Sequence, residues 1–269
     1  MPEPPDRGVA RRAPPGGHSV GMRALLAAIR CDKGAVEANL ARHLDIVAEA
    51  SASGCDLAVF PEMSLSGSVD AAEHPDRLLS LDDPAIGALV TACSSTAACF
   101  GIAERGPDSN AYITQIFAAG GRMTGVQRKR HLGDGEESFT AATGDAVVDY
   151  AGTRLAMAIC AEAGFDAAFD SAAAAGARIV LFPAAPGLYG RRTDEASWRA
   201  GFAWWQGCSL GDARRHARRL GLWIALAGQA GVTEDEDFPG FAALVGPDGG
   251  VAARLPDWRE ATLIADVPV

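Results

Sequence analysis

The sequence of 269 residues predicts one α/β domain with a mixed sheet or a pair of sheets. Short apolar runs that end at breakers such as proline alternate with helical patterns, as strands and crossover helices do in α/β proteins. No proline-rich linker follows residue 22, and no repeat of 20–50 residues is present. We therefore predict a disordered tail over 1–22, rich in Pro, Gly and Arg, and one folded domain over 23–269.

The first strand–helix–strand unit fills residues 23 to 60. An apolar run covers 23–29, and segment 33–53 carries apolar residues at helical spacing before Gly54, a typical helix C-cap. The strand 55–60 follows and is broken by Pro61. Such a unit predicts a parallel pair of strands with a right-handed crossover.

The later elements continue this alternation, with hairpins after each group of strands and helices. Asp83 and Pro84 are typical of an N-cap and a first helical residue. The run 155–159 is apolar and short, as in a strand buried on both faces. The further predicted helices are 83–98, 165–175 and 198–220, and the further predicted strands are 100–103, 110–118, 123–128, 147–150, 155–159, 178–182, 222–227, 241–245, 251–255 and 263–267.

Charge and composition restrict the function classes. The net charge of −10 argues against a nucleic-acid partner and against an anionic membrane surface. No apolar run reaches the length of a membrane span, and residues 1–21 lack the apolar core of a secretory signal. The six cysteines form no CxxC pair and match no zinc spacing, which indicates a reducing compartment. We expect a cytoplasmic protein that acts on small molecules.

Cys160 is a candidate nucleophile because it stands at the carboxyl end of the predicted strand 155–159. Backbone N–H groups and the dipole of a helix that begins there can favour the thiolate. The alternative is a buried cysteine that acts as a small hydrophobe, and this segment alone favours that alternative.

Two further residues, Glu62 and Lys129, also follow a strand or hairpin end. In α/β folds, residues from several strand ends can meet in one crevice. A carboxylate can take the thiol proton of Cys160, and the thiolate can attack an electrophilic carbon. An ammonium, helped by the N–H of Ala161, can stabilise the oxyanion that develops.

The strings around these three residues resemble the three signatures of the nitrilase, or carbon–nitrogen hydrolase, superfamily. They are DLAVFPEMSLSG at 56–67, RKRHL at 128–132 and AICAE at 158–162. The flanking strings NAY at 110–112, GGR at 120–122, TGD at 143–145, LFP at 181–183 and PDG at 247–249 fit as well and keep the same order. The resemblance covers residues 23–269.

This resemblance implies a four-layer α-β-β-α sandwich and a homodimer or higher homo-oligomer that pairs through helices near the cysteine. It implies Glu62 as general base, Lys129 as oxyanion stabiliser and Cys160 as nucleophile. A second glutamate is expected to hold the lysine and orient the substrate; Glu137 is the best match and Glu136 the rival. Neither a metal nor an organic cofactor is expected.

Departures from the family pattern bear on the substrate. Ala161 replaces the usual aromatic residue after the cysteine, and small residues follow Pro183, which could widen the pocket. The expected substrate contacts are Ala161, Glu162, Ala184 and Ala185.

Other conspicuous residues have simpler interpretations. Trp198, Trp204 and Trp205 either bind an apolar or ring-bearing substrate or pack in the core or a subunit interface. His131 is expected to pack beside the lysine, and residues 234–237 to form a solvated loop.

The sequence thus predicts a thiol hydrolase of a linear amide or an N-carbamoyl compound. A nitrilase is the alternative within the enzyme class, and the FPE string at 60–62 favours an amide. A catalytically altered protein that serves as a binding subunit is the alternative outside it.

Overall fold

The structure, a computed structural model, describes residues 21–268. The helices are α1 (Val36–Ala52), α2 (Pro84–Ala92), α3 (Asp166–Ala174) and α4 (Glu195–Leu220). The strands are β1 (Met22–Ala28), β2 (Leu57–Val59), β3 (Ala97–Arg105), β4 (Ala111–Ala119), β5 (Arg122–Arg128), β6 (Val147–Tyr150), β7 (Thr153–Met157), β8 (Ile179–Ala184), β9 (Trp223–Gly228), β10 (Ala230–Val232), β11 (Asp237–Pro239), β12 (Ala242–Val245), β13 (Val251–Arg254) and β14 (Ala261–Val267).

Two six-stranded sheets repeat one topology. The first has the order β14-β1-β2-β3-β4-β5, and the second has the order β13-β12-β9-β8-β7-β6. The strands β1, β2 and β3 are parallel, as are β7, β8 and β9, and their outer neighbours are antiparallel. The parallel pair β1–β2 confirms the crossover unit predicted for residues 23–60.

The sheets pack face to face, and the helices cover their outer faces. Side chains such as Phe117, Met157 and Leu181 fill the layer between the sheets. Helices α1 and α2 bury apolar side chains against the first sheet, and α3 and α4 against the second. The four-layer α-β-β-α sandwich implied by the resemblance is confirmed.

Some predicted boundaries were wrong. The helix predicted over 83–98 ends at Ala92, and β3 already begins at Ala97, so this strand starts earlier than predicted. Helix α4 begins at Glu195 rather than 198, because Asp194 caps it by accepting a hydrogen bond from the Ser197 N–H at 2.8 Å. The first strand includes Met22, which the prediction placed in the tail. The rest of that tail, residues 1–20, lies outside the described residues.

The short pair β10–β11 was not predicted. Asp237, expected in a solvated loop, is fully buried in β11, and its carboxylate accepts a hydrogen bond from the backbone N–H of Arg192. The partner lies 45 residues away, so neighbouring charges in the sequence were a poor guide to its exposure. None of the helices within residues 21–268 combines the length and the apolar character needed to cross a membrane.

Candidate active site

Glu62, Lys129 and Cys160 meet at one end of the two sheets. Glu62 follows β2 and Lys129 follows β5 in the first sheet, whereas Cys160 follows β7 in the second. The ammonium nitrogen of Lys129 lies 2.7 Å from Oε1 of Glu62. The charges of both residues act on the Cys160 thiol. The structure therefore brings the three residues into one cluster.

Lys129 is completely buried between two carboxylates. Its Nζ donates hydrogen bonds to Glu62 at 2.7 Å and to Oε1 of Glu136 at 2.5 Å. Burial alone would lower the pKa of Lys129, but the charges of Glu62, Cys160 and Glu136 together raise it above its usual range. Lys129 is therefore an ammonium ion at any physiological pH. An ammonium has three N–H donors, so one remains for another acceptor.

Glu62 is suited to accept a proton. Its exposed fraction is 1%, and its second oxygen, Oε2, accepts a hydrogen bond from the Ala185 N–H at 3.1 Å. Burial raises the pKa of the Glu62 carboxyl above its usual range, although Lys129 acts in the opposite direction. The charge of Glu136 raises this pKa further. A carboxylate with a raised pKa is a stronger general base.

Cys160 begins a tight turn, Cys160–Gly164, and has a left-handed backbone conformation with φ of 45°. This conformation is rare for a residue other than glycine and costs about 1 kcal/mol or more. The residue as a whole is half-buried, whereas the cysteines before it in the chain are buried and Cys208 is exposed on α4. Such a strained position at a strand end is typical of a functional residue.

The protonation state of Cys160 at rest differs from the sequence-based expectation that its surroundings favour the thiolate. Burial raises the pKa of its thiol well above the usual range, and the charge of Glu62 adds to this effect. Lys129 and the Ala185 N–H lower the pKa only in part. The sulfur is therefore a thiol at rest, and a base must remove its proton as it attacks.

The choice between the two glutamates was wrong. Glu136, and not Glu137, contacts Lys129, and its other oxygen accepts a hydrogen bond from the Gly133 N–H at 2.6 Å. Glu137 is exposed, and its carboxylate accepts a hydrogen bond from the N–H of Gly135 at 3.2 Å. Gly135, with φ of 81°, turns the loop so that adjacent glutamates take these different positions.

Glu162 does not lie where a substrate contact was predicted. Its side chain is fully buried, and its carboxylate accepts hydrogen bonds from the Ile159 N–H at 2.8 Å and the Arg130 N–H at 2.6 Å. It also forms an ion pair with the Arg130 guanidinium at 2.9 Å. Because Arg130 follows Lys129, Glu162 ties the nucleophile turn to the lysine loop. No motif in the sequence indicated this pairing, since Arg and Glu are common in loops.

A cavity of about 300 Å³ lies over Cys160. Of the alanines predicted to contact the substrate, Ala161 and Ala185 line this cavity. Ala184 is buried in β8 and does not line it. Trp204 and Trp205 also line it. The lining residues that the sequence did not indicate include Gly133, Asp134, Ser209 and Asp212. They come from loops and from α4, where no motif marks them.

Two of the other conspicuous side chains pack outside the cavity. Trp198 stacks on Trp258, with ring centroids 6.4 Å apart. His131 stacks on Phe165 at 4.3 Å, which agrees with the packing role expected for it. Within residues 21–268, no group of three or more His, Cys, Asp or Glu side chains is arranged to hold a metal ion.

The family model described as carbon-nitrogen hydrolase matches residues 24–269. Among curated proteins, a relative from Pseudomonas protegens called "Hydrolase in pqqF 5'region" is 32% identical over 157 residues. That match covers 56% of this chain and 54% of the relative, so the chain spans about half the length of that protein.

Solved structures show the same fold. An amidase from Nesterenkonia sp. AN1 superposes with a TM-score of 0.79 and 24% identity, over 96% of this chain and 94% of that chain. A glutamine-dependent NAD+ synthetase from Acinetobacter baumannii superposes with a TM-score of 0.75 and 19% identity, over 91% of this chain and 45% of that one.

Proposed function

Since the chain belongs to the carbon–nitrogen hydrolase family, we propose that it hydrolyses a linear amide or an N-carbamoyl compound to an acid and ammonia or an amine. The observation that carries this proposal is the buried ammonium of Lys129, held between the carboxylates of Glu62 and Glu136 beside the Cys160 thiol. This cluster supplies a base, a nucleophile and a fixed positive charge at the floor of a cavity.

The first half-reaction forms a thioester. Glu62 takes the thiol proton of Cys160 as the sulfur bonds to the carbonyl carbon of the substrate. The negative charge that develops on the carbonyl oxygen is stabilised by the free N–H of Lys129 and by the backbone N–H of Ala161. When this adduct collapses, the C–N bond breaks, Glu62 returns its proton to the leaving nitrogen, and ammonia or an amine departs.

The second half-reaction releases the acid. Glu62, a carboxylate again, takes a proton from water, and the hydroxide attacks the carbonyl carbon of the thioester. The same donors stabilise the second oxyanion. The C–S bond then breaks, Cys160 regains its proton from Glu62, and the carboxylic acid leaves.

Structural neighbours support an amide as the substrate. The Nesterenkonia amidase has been solved in complex with acrylamide and, in another structure, with the acetamide moiety of fluoroacetamide on its active-site cysteine. Its fold and length agree with those of this chain. Short amides are therefore the first candidates, ahead of nitriles.

The test is ammonia release from a panel of short amides, N-carbamoyl compounds and nitriles. We expect turnover of an amide or N-carbamoyl compound that is lost in Cys160→Ala. Cys208→Ala is the matched control, because this cysteine is exposed on α4 and lies outside the cavity lining. Turnover of nitriles alone would favour a nitrilase, and no turnover by the folded protein would favour a binding subunit.

We also propose that the protein is cytoplasmic and forms a homodimer or higher homo-oligomer through helices near Cys160. Six free cysteines are compatible with a reducing compartment. Phe165, which follows the nucleophile turn, has an exposed fraction of 44%, and a partner could cover it. Light scattering after size-exclusion chromatography tests the assembly, and a monomer at micromolar concentration would contradict it.

A further inference from the structure

The cavity over Cys160 has acidic walls. The carboxylates of Asp134, Glu136 and Asp212 contribute to its lining. Among the residues that the structure describes, no Lys or Arg side chain is part of this lining. A substrate group that enters the cavity therefore meets negative charge, beyond the catalytic cluster, on two sides: the loop of Asp134 and the helix α4.

Neighbouring cations balance this charge only in part. Lys129 is one ammonium for the two carboxylates of Glu62 and Glu136. Arg215 lies 3.4 Å from Asp212, but its guanidinium also pairs with Asp166. Asp134 is exposed on its loop. The cavity thus keeps a net negative charge.

Two further arginines lie near the rim, on the loop between β8 and α4. The Arg192 guanidinium donates to the Leu188 carbonyl, and Arg191 pairs with the buried carboxylate of Asp237 at 3.7 Å. Arg192 also lines an adjoining cavity, which shares Tyr189 and Trp204 with the cavity over Cys160. Neither Arg191 nor Arg192 lines the cavity over Cys160 itself.

Aromatic side chains form another wall of the same cavity. The indole rings of Trp204 and Trp205 have centroids 6.1 Å apart, and Tyr189 lies on the loop that faces them. Trp204 is 48% exposed and Tyr189 is 79% exposed, so their rings are available to a ligand. Aromatic faces attract cations, and carboxylates beside them strengthen this attraction. An anion is attracted neither by a carboxylate nor by the face of an aromatic ring.

We propose that the preferred substrate is a short amide whose far end carries a positive charge, such as a primary ammonium. This inference rests on the proposed function, since it assigns the substrate class of the same site. The cavity volume of about 300 Å³ has room for such an amide. Among the candidates open from the sequence, N-carbamoyl amino acids are disfavoured because they carry a carboxylate.

Three amides of nearly equal length test the inference: 4-aminobutanamide, which is a cation, pentanamide, which is neutral, and glutaramate, which is an anion. Ammonia release gives kcat/KM for each. A unit charge about 5 Å from a carboxylate in a partly solvated cavity changes binding roughly tenfold. We therefore expect kcat/KM of the cation to be about tenfold higher than that of the neutral amide and about a hundredfold higher than that of the anion.

Variants locate the effect. The double substitution of Asp134→Asn and Asp212→Asn should reduce the ratio of cation to anion at least about tenfold. Glu137→Gln is the matched control, because Glu137 is an exposed acid of the same loop outside the lining, and the ratio should not change. If the double variant fails to fold, Asp134→Asn alone serves, since Asp134 is exposed.

The outcomes separate the two proposals. Cleavage of pentanamide or glutaramate at least as fast as 4-aminobutanamide would overturn the inference and leave the proposed function intact. An unchanged ratio in the double variant would overturn the assignment of the preference to these carboxylates. Failure of the folded enzyme to cleave any of the three amides would overturn the inference, and it would contradict the proposed function as well only if the panel of other short amides and N-carbamoyl compounds also released no ammonia.

Discussion

Replacing Glu136 tests how the lysine is held. The Glu136 carboxylate is 2.5 Å from Nζ of Lys129, a charged hydrogen bond to a completely buried group. Such bonds contribute about 1.5–3 kcal/mol. If the whole contribution is lost from the transition state, Glu136→Ala lowers kcat by about 10- to 150-fold. Glu136→Gln leaves a hydrogen bond from the Lys129 ammonium to a neutral amide oxygen, of about half the strength, so kcat should fall by about 4- to 12-fold.

The pH profile distinguishes this role from a merely structural one. Activity needs Glu62 as a carboxylate, so kcat/KM rises with pH through the pKa of Glu62, which lies above the usual range of a glutamate. The charge of Glu136 contributes to that raised pKa. Either variant of Glu136 should therefore move the acid limb of the profile to lower pH.

The assay is ammonia release over a range of pH, with kcat and KM determined separately. Glu137→Ala is the control, because this exposed side chain contacts the N–H of Gly135 rather than Lys129, and its kcat should stay within about twofold of wild type. Equal losses of kcat in Glu136→Ala and Glu137→Ala would refute this account of the lysine site. An acid limb that does not move in Glu136→Gln would refute it as well.

Three other substitutions have definite expected outcomes. Glu62→Gln should slow alkylation of Cys160 by iodoacetamide about a hundredfold, measured by mass spectrometry, because an amide cannot take the thiol proton. Glu162→Ala should lower the free energy of unfolding in urea by about 3–5 kcal/mol, because a buried ion pair loses one partner. Gly101→Ala should destabilise the protein by about 2–3 kcal/mol, because its Cβ would lie 2.4 Å from the backbone N of Met63.

Each of these expectations has a result that contradicts it. Alkylation at the wild-type rate in Glu62→Gln would mean that another group activates the thiol, with Cys160→Ala as the blank for the labelled site. A urea midpoint unchanged by Glu162→Ala would mean that the carboxylate is not essential to the turn. An unaltered urea midpoint in Gly101→Ala would show that the backbone after Glu62 can shift to make room for the added methyl group at little cost in free energy.

The sequence could predict the three central residues because the strings around them resemble the family signatures, and two of the three also stand beside an abrupt break in an apolar run. Pro61 marks the end of the strand before Glu62, and the end of an apolar run marks Cys160. Strand ends depend mainly on local sequence, and the order of elements then determines which ends meet. Four layers followed from the resemblance rather than from periodicity, which left one sheet or two open.

The rest depended on three-dimensional detail. The choice between Glu136 and Glu137 is set by the turn at Gly135, because adjacent side chains point in different directions. The raised pKa of the Cys160 thiol results from burial and from Glu62, which is far away in the sequence. Glu162 could not be separated from a substrate contact, since its partner Arg130 is 32 residues away.

The division of the site between the two sheets has a consequence for folding. Glu62 and Lys129 come from the first sheet and Cys160 from the second, so neither half of the chain contains a working centre. Strand pairs that are close in the sequence are expected to form before pairs that are far apart. The pair β1–β14 joins the two ends of the described chain and should therefore form late. During refolding, helical circular dichroism should therefore recover before iodoacetamide reactivity at Cys160, and turnover should appear only when the sheets have docked.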